Sequence, residues 1–178
     1  MSKVITFSRV FPAYHPRKEE PTFFVEKIWE GMSKMDWPEP ELNTAQRKWF
    51  NANFAVNIYD TKYHTIRSGH RWKAGDKFSP RVWGDDINPK SGRSGPYHSK
   101  QIIIAPDIEI KKVWKFEIAG NCFRINEKIK MGESESDFEL LDMIAVNDGL
   151  NRHDLLEWFR YPKPFSGQII CWNENIIY

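Results

Sequence analysis

The chain of 178 residues sets 26 Lys and Arg against 24 Asp and Glu, with 40% apolar and 15% aromatic residues. Such a length and apolar content suit one domain, residues 1–178, with a buried core, and exclude disorder as the main state. Two cysteines, Cys122 and Cys171, are too few for a disulfide framework, and no stretch reaches the ~18 uncharged apolar residues of a membrane span. With no signal-peptide run at the start, a soluble, cytoplasmic protein without membrane partners is expected.

Ile outnumbers Leu 18 to 6, and with 12 Phe, 8 Trp and 6 Tyr this favours strands over a helical bundle. An apolar strand is predicted at residues 4–7, followed by a Pro-broken stretch between Phe11 and Pro16. Thr22 opens a helix that buries Phe24, Ile28 and Trp29, and Gly31 is expected to end it. Residues 32–60, with Pro38, Pro40, Trp49, Phe50 and Phe54, read as an insertion with one short helix at 44–52. Residues 77–83, broken by Pro80, read as an interrupted strand, and the Gly-, Pro- and Ser-rich residues 84–99 as a long loop of the kind that is often functional.

Strands are predicted at 101–105 and 108–118, the second long enough for a bulge, with irregular pairing over 120–134. Two helix starts follow. Ser136 and Glu139 form a capping box ahead of Leu140, Leu141 and Ile144. Asn151 is the second N-cap, with Asp154 at its third helical position and Leu150 and Leu155 placed as a hydrophobic staple. Between them Gly149 supplies a left-handed stop, holding Asp148 at a tight corner. Residues 167–172 close the chain as a strand, so the order implies an α+β fold, with a small β-barrel as the expected architecture.

Charge is unevenly spread. Residues 61–100 carry nine basic and three acidic side chains, and residues 131–160 carry eight acidic and two basic ones. These blocks can be two solvated faces, or the basic one can contact phosphate. Arg67, Arg71, Lys73, Arg81, Arg93 and Lys100 are its candidate phosphate contacts, with Trp72, Trp83 or Tyr97 as stacking platforms or as core residues. No zinc-like spacing joins His15, His64, His70, His98 or His153 to a cysteine, and Gly92-Arg93-Ser94-Gly95 lacks the phosphate-loop pattern, so neither metal nor cofactor is expected.

Lys62-Tyr63-His64-Thr65-Ile66-Arg67 is the most informative segment. As a strand it puts Lys62 and His64 on one face and Thr65 on the other, whereas a bend at Lys62 lets its amine meet the Thr65 hydroxyl. A lysine in a partly apolar cleft has the lowered pKa of a base, although a surface Lys beside a strand Thr has the same spacing. Arg67 is likewise a phosphate fork if it lines a cleft and a surface charge otherwise.

Lys62-x-x-Thr65-Ile66-Arg67, with Gly75-Asp76 ahead of a strand, Asp148-Gly149-Leu150 opening a helix that ends in Trp158-Phe159, and a first strand Ile5-Thr6-Phe7, resembles the ASCH domain of the PUA-like superfamily. The resemblance covers about residues 1–31 and 61–178 and implies a PUA-like β-barrel with flanking helices and a cleft for RNA or a modified nucleoside. It further implies an amidohydrolase acting on N4-acylated cytidine, with Thr65 as nucleophile, Lys62 as base and Asp148, in place of a family Glu, orienting Lys62 or the departing amine. His64, Arg67, Arg71, Lys73, Trp83, Arg93 and Tyr97 would bind substrate or RNA, and backbone amides at 67–69 would hold the oxyanion. The alternative is a non-catalytic RNA-binding module or ribonuclease using the basic block.

Overall fold

The structure, a computed structural model, describes residues 3–37, 60–119, 122–126, 128–130, 134–159 and 164–178. Most of the expected insertion at 32–60, including its short helix at 44–52, lies outside the described residues. The fold is α+β, with two sheets and three helices among the described residues.

The first sheet is mixed. Its centre is β3 (Lys77–Trp83), paired in parallel with β1 (Lys3–Thr6) and antiparallel with β4 (Gln101–Ile103) and β5 (Ile108–Glu109). Pro80 is tolerated in this central strand because its missing N–H falls where the antiparallel partner changes from β5 to β4. The interruption foreseen at Pro80 is therefore a change of partner inside one continuous strand.

The second sheet is antiparallel, in the order β2 (His64–Ser68), β9 (Phe165–Cys171), β6 (Lys112–Ala119), β7 (Cys122–Ile125) and β8 (Lys128–Lys130). The expected long strand at 108–118 breaks at a corner. Ile110 N donates to Asp76 O at 2.9 Å and Lys111 N to Cys171 O at 2.8 Å, so two adjacent residues bond to different sheets. Among the described residues no strand pairing closes the two sheets into a barrel.

Helix α1 (Phe24–Ser33) starts after Phe23, whose φ of 57° is left-handed, while Thr22 Oγ1 donates to Ser8 O at 2.7 Å. Gly31 does not end this helix. It lies inside it, where an added Cβ would stand 2.9 Å from the Lys62 carbonyl oxygen, so glycine is needed for close approach rather than for a turn.

Helix α2 (Glu135–Asn147) is capped two residues earlier than expected: Ser134, not Ser136, accepts from the Asp137 amide at 3.2 Å. Helix α3 (Arg152–Phe159) begins as predicted, with the Asp154 amide donating to Asn151 Oδ1 at 2.8 Å and Leu150 and Leu155 buried beside the cap. Gly149, at φ 76°, ends α2.

One buried cluster joins the two sheets and the three helices. Ile5 and Phe78 enter it from the first sheet, Ile66, Phe116 and Ile169 from the second, and Ile28, Ile144 and Leu155 from the three helices. Trp72 is 2% exposed within this cluster, its ring edge-on to Phe78, so it is core and not a stacking platform. Cys122 and Cys171 are free thiols. No helix among the described residues is long and apolar enough to cross a membrane.

Candidate active site

The chain just before β2 departs from strand geometry. Lys62 N donates to Lys27 O of α1 at 2.9 Å, Tyr63 N to Asn147 O of α2 at 2.8 Å, and Trp172 N to Tyr63 O at 3.1 Å. Three elements thus hold residues 62–63 out of the period-two alternation that starts at His64, and Lys62 and Thr65 line the same cavity despite their spacing.

That cavity, of about 520 Å³, lies between β1, the start of α1, β2 and the end of α3. Phe7, Phe24, Trp83, Trp158 and Phe159 give it aromatic walls, while Lys62, Thr65, Arg67, Glu26 and Asp148 supply polar groups. Arg9 and Asp85 form an ion pair at 2.7 Å and also line it.

Lys62 is 1% exposed, and its amine donates to Asp148 Oδ1 at 2.7 Å and to the Asp148 carbonyl oxygen. The centre of the Phe24 ring sits 4.1 Å from Nζ, so an aromatic face lies against the cation. Burial pulls the Lys62 amine down to about 8, against the opposing pull of Asp148. Burial also raises the Asp148 carboxyl above its ordinary range, opposed by Lys62, by Arg67 and by a hydrogen bond from the Ile66 amide. Desolvation thus drives both members of the pair toward neutrality, the state in which an amine can accept a proton.

Thr65, 4% exposed, pairs with Ile170 in β2, and its hydroxyl has no hydrogen-bond partner among the described residues. Arg67 donates from Nη2 to Thr6 O at 2.7 Å, linking the open edges of β2 and β1, and its guanidinium lies 5.3 Å from the Phe7 ring. Its Nε, also buried, finds no partner among the described residues. Burial lowers this guanidinium to about 10, so it remains a cation at neutral pH.

The chain matches no known family model, characterised protein or solved structure. What the site can do is therefore argued from its own residues.

The structure brings together Lys62, Thr65, Arg67, Trp83 and Asp148 on one cavity. His64 does not line it. The ring lies behind the ion pair, fully buried, with Nε2 donating to Ile144 O at 3.0 Å. Arg71 lies outside, 5.2 Å from the Trp72 ring, and Lys73 is exposed, its amide donating to Asp76 Oδ2. Arg93 is also exposed and outside the cavity. Tyr97 is 86% exposed, with its ring 5.4 Å from Trp83.

The expected oxyanion amides fare differently from the side chains, because Gly69 N is spent on Ser166 O of β9 at 3.3 Å. Of the aromatic walls only Trp83 is among the expected site residues; Phe7, Phe24, Trp158, Phe159 and Glu26 are not. Phe24 and Phe7 look like any strand or helix core position, and only contacts across the fold set them against Lys62 and Arg67. Among the described residues no cluster of three His, Cys, Asp or Glu side chains could hold a metal ion.

Proposed function

We propose that the protein is an ASCH-type amidohydrolase that removes the acyl group from N4-acylated cytidine or a related nucleoside. One observation carries this reading: a fully buried lysine, lowered to about 8 and held by Asp148, shares an aromatic-walled cavity with an unpartnered threonine hydroxyl. Aromatic walls suit a flat base, and a lysine of that pKa suits proton transfer near neutral pH.

In the proposed reaction the neutral Lys62 amine takes the Thr65 proton as Thr65 Oγ1 attacks the acyl carbon. The carbon–nitrogen bond then breaks, Lys62 returns the proton to the departing amino group, and the acyl group stays on Thr65 as an ester. Water, activated by the same amine, hydrolyses that ester and releases the carboxylic acid. Asp148 holds the amine in the cavity, and the reaction requires it to close on the Thr65 hydroxyl, to which it makes no hydrogen bond before substrate binds. Arg67 Nε is the buried donor available to an acyl or base carbonyl oxygen, in place of the Gly69 amide.

The fold proposed with this activity is a PUA-like barrel with flanking helices. Two links between the sheets support it: the corner at Ile110–Lys111 and the Arg67 side chain reaching Thr6 across the opposite edges.

Purified protein mixed with N4-acetylcytidine should remove its ultraviolet band and release cytidine and acetate, and Thr65→Ala should slow this by roughly 10³-fold or more. A wild type without turnover, or Thr65→Ala at full rate, would overturn the proposal.

A second reading, a non-catalytic RNA-binding module or ribonuclease, draws on the exposed Tyr97 ring packed against cavity-lining Trp83 and on the exposed Lys73 and Arg93. Its mark would be RNA affinity that falls steeply with salt, as phosphate contacts require, and affinity flat in salt would speak against it.

A further inference from the structure

One oxygen, Asp148 Oδ1, stands between two nitrogen bases. Lys62 Nζ lies 2.7 Å from it on the cavity side, and His64 Nδ1 lies 3.5 Å from it on the side away from the cavity. The His64 tautomer is settled by its other nitrogen, since Ile144 O can only accept and Nε2 must therefore carry the hydrogen. Nδ1 is left with a lone pair, fully buried and without a hydrogen-bond partner among the described residues. A bare ring nitrogen facing a carboxylate oxygen is unfavourable unless a proton comes between them.

We propose that His64 is the internal acceptor of the Lys62 proton, passed through Asp148 Oδ1, so that Lys62 becomes a neutral base without releasing a proton to solvent. The step balances. An N–H bond breaks on Lys62, an O–H bond forms and breaks on Asp148, and an N–H bond forms on His64 Nδ1, leaving Lys62 neutral, Asp148 anionic and His64 cationic. The net charge of the buried group is the same before and after, so the transfer avoids placing one more charge in the interior.

The surroundings fit this exchange. Burial and the Lys62 cation keep His64 well below its ordinary pKa, so His64 stays neutral while Lys62 is charged, and the second restraint vanishes once Lys62 gives up its proton. The other charged groups acting on the trio are Arg67 from β2 and Lys27 from α1, both cations, with Glu26 facing the cavity from α1. Cys171, paired with His64 across β9, has a thiol pushed up to about 11. Tyr178, edge-on to His64, has a phenol raised by burial, so neither supplies a proton near neutral pH. His64 acts through Asp148 and Lys62 and is a positioning residue.

The inference rests on the hydrolase reading for its kinetic consequence only. With the relay, kcat/KM for N4-acetylcytidine should level off on the acid side of the profile. In His64→Gln, which keeps an N–H for Ile144 O and loses Nδ1, it should fall about tenfold per pH unit below the Lys62 pKa. Equal slopes in the two proteins would overturn the relay.

Nitrogen-15 spectra of histidine-labelled protein test the same transfer without turnover. In wild type His64 Nδ1 should read as unprotonated, and in Lys62→Met it should take up a proton and titrate near neutral pH. An Nδ1 that stays bare in Lys62→Met from pH 5 to pH 9 would overturn the relay even in an active enzyme. A protonated Nδ1 in Lys62→Met, together with a wild type that shows no turnover, would uphold it and count against the hydrolase alone.

Discussion

Two buried aspartates flank the α2–α3 corner, each beside a histidine and a cation, and they are used in opposite ways. Asp154, 2% exposed, accepts twice at Oδ2, from Arg17 Nη1 at 2.5 Å and from Asn151 Nδ2 at 2.9 Å. Its neighbour His15 is satisfied at both nitrogens, Nε2 donating to Asp154 O at 3.2 Å and Nδ1 accepting from the Arg17 amide at 3.1 Å. None of these four residues lines the cavity. Asp148, 4% exposed, holds a wholly buried lysine, faces the cavity and leaves His64 Nδ1 without a partner. A network with both histidine nitrogens bonded staples the 11–20 segment to α3, whereas the other leaves His64 Nδ1 bare, where the proposed relay would place a proton.

The largest expected contrast is between the two aspartates themselves. Asp148→Asn strands a buried cation and should cost about 3–5 kcal/mol in denaturant unfolding, together with turnover. Asp154→Asn loses an ion pair whose arginine is partly exposed, and should cost about 1–3 kcal/mol with kcat nearly unchanged. Equal losses of stability and activity in both variants would erase the distinction.

Next in size is Gly31→Ala. Its new methyl meets the Lys62 carbonyl oxygen at 2.9 Å and Tyr63 ring carbons at 3.2 and 3.3 Å, all of them held by the backbone bonds of residues 62–63. A destabilisation of about 1–3 kcal/mol and a displaced Lys62 are expected, read as a lower Tm and a lower kcat with little change in KM. A variant with wild-type Tm and kcat would show that the Lys62 segment yields freely.

The pH dependence of stability sharpens the comparison on the Lys62 side. Its amine releases its proton at about 8 when folded and at 10.5 when unfolded, so between these values the unfolded chain binds more protons and Lys62's contribution to stability rises with pH. Measured as wild type minus Lys62→Met, that rise should approach about 1.4 kcal/mol per pH unit inside the window. A flat difference curve would mean that the amine is not desolvated.

Smallest of all, Lys73→Ala and Arg93→Ala remove exposed cations outside the cavity and should change Tm and N4-acetylcytidine turnover by less than the equivalent of about 0.5 kcal/mol. A marked loss of RNA binding in these variants would favour the second reading.

Local chemistry accounts for what could be read early. Gly149 needs a left-handed backbone and Asn151 caps the next amide ladder, so Asp148 is placed at a corner by its immediate neighbours. The closing strand, the central strand with Pro80 and the Lys62-to-Arg67 segment were likewise visible in local pattern. The cap of α2 was misplaced because Ser134 and Ser136 both precede an acidic residue at the right spacing, and propensity does not rank them.

Sequence alone thus determined the α+β order and the local setting of Lys62, Thr65, Arg67 and Asp148, because turns, caps and alternation depend on neighbours a few positions apart. Only the tertiary structure decided that Lys62 is buried against Asp148, 86 residues away, under the ring of Phe24. It also turned His64 from a substrate contact into a buried neighbour of Asp148, and Trp72 from a platform into core. Burial and long-range pairing set the pKa values and the partners, and neither is a property of a residue's own segment.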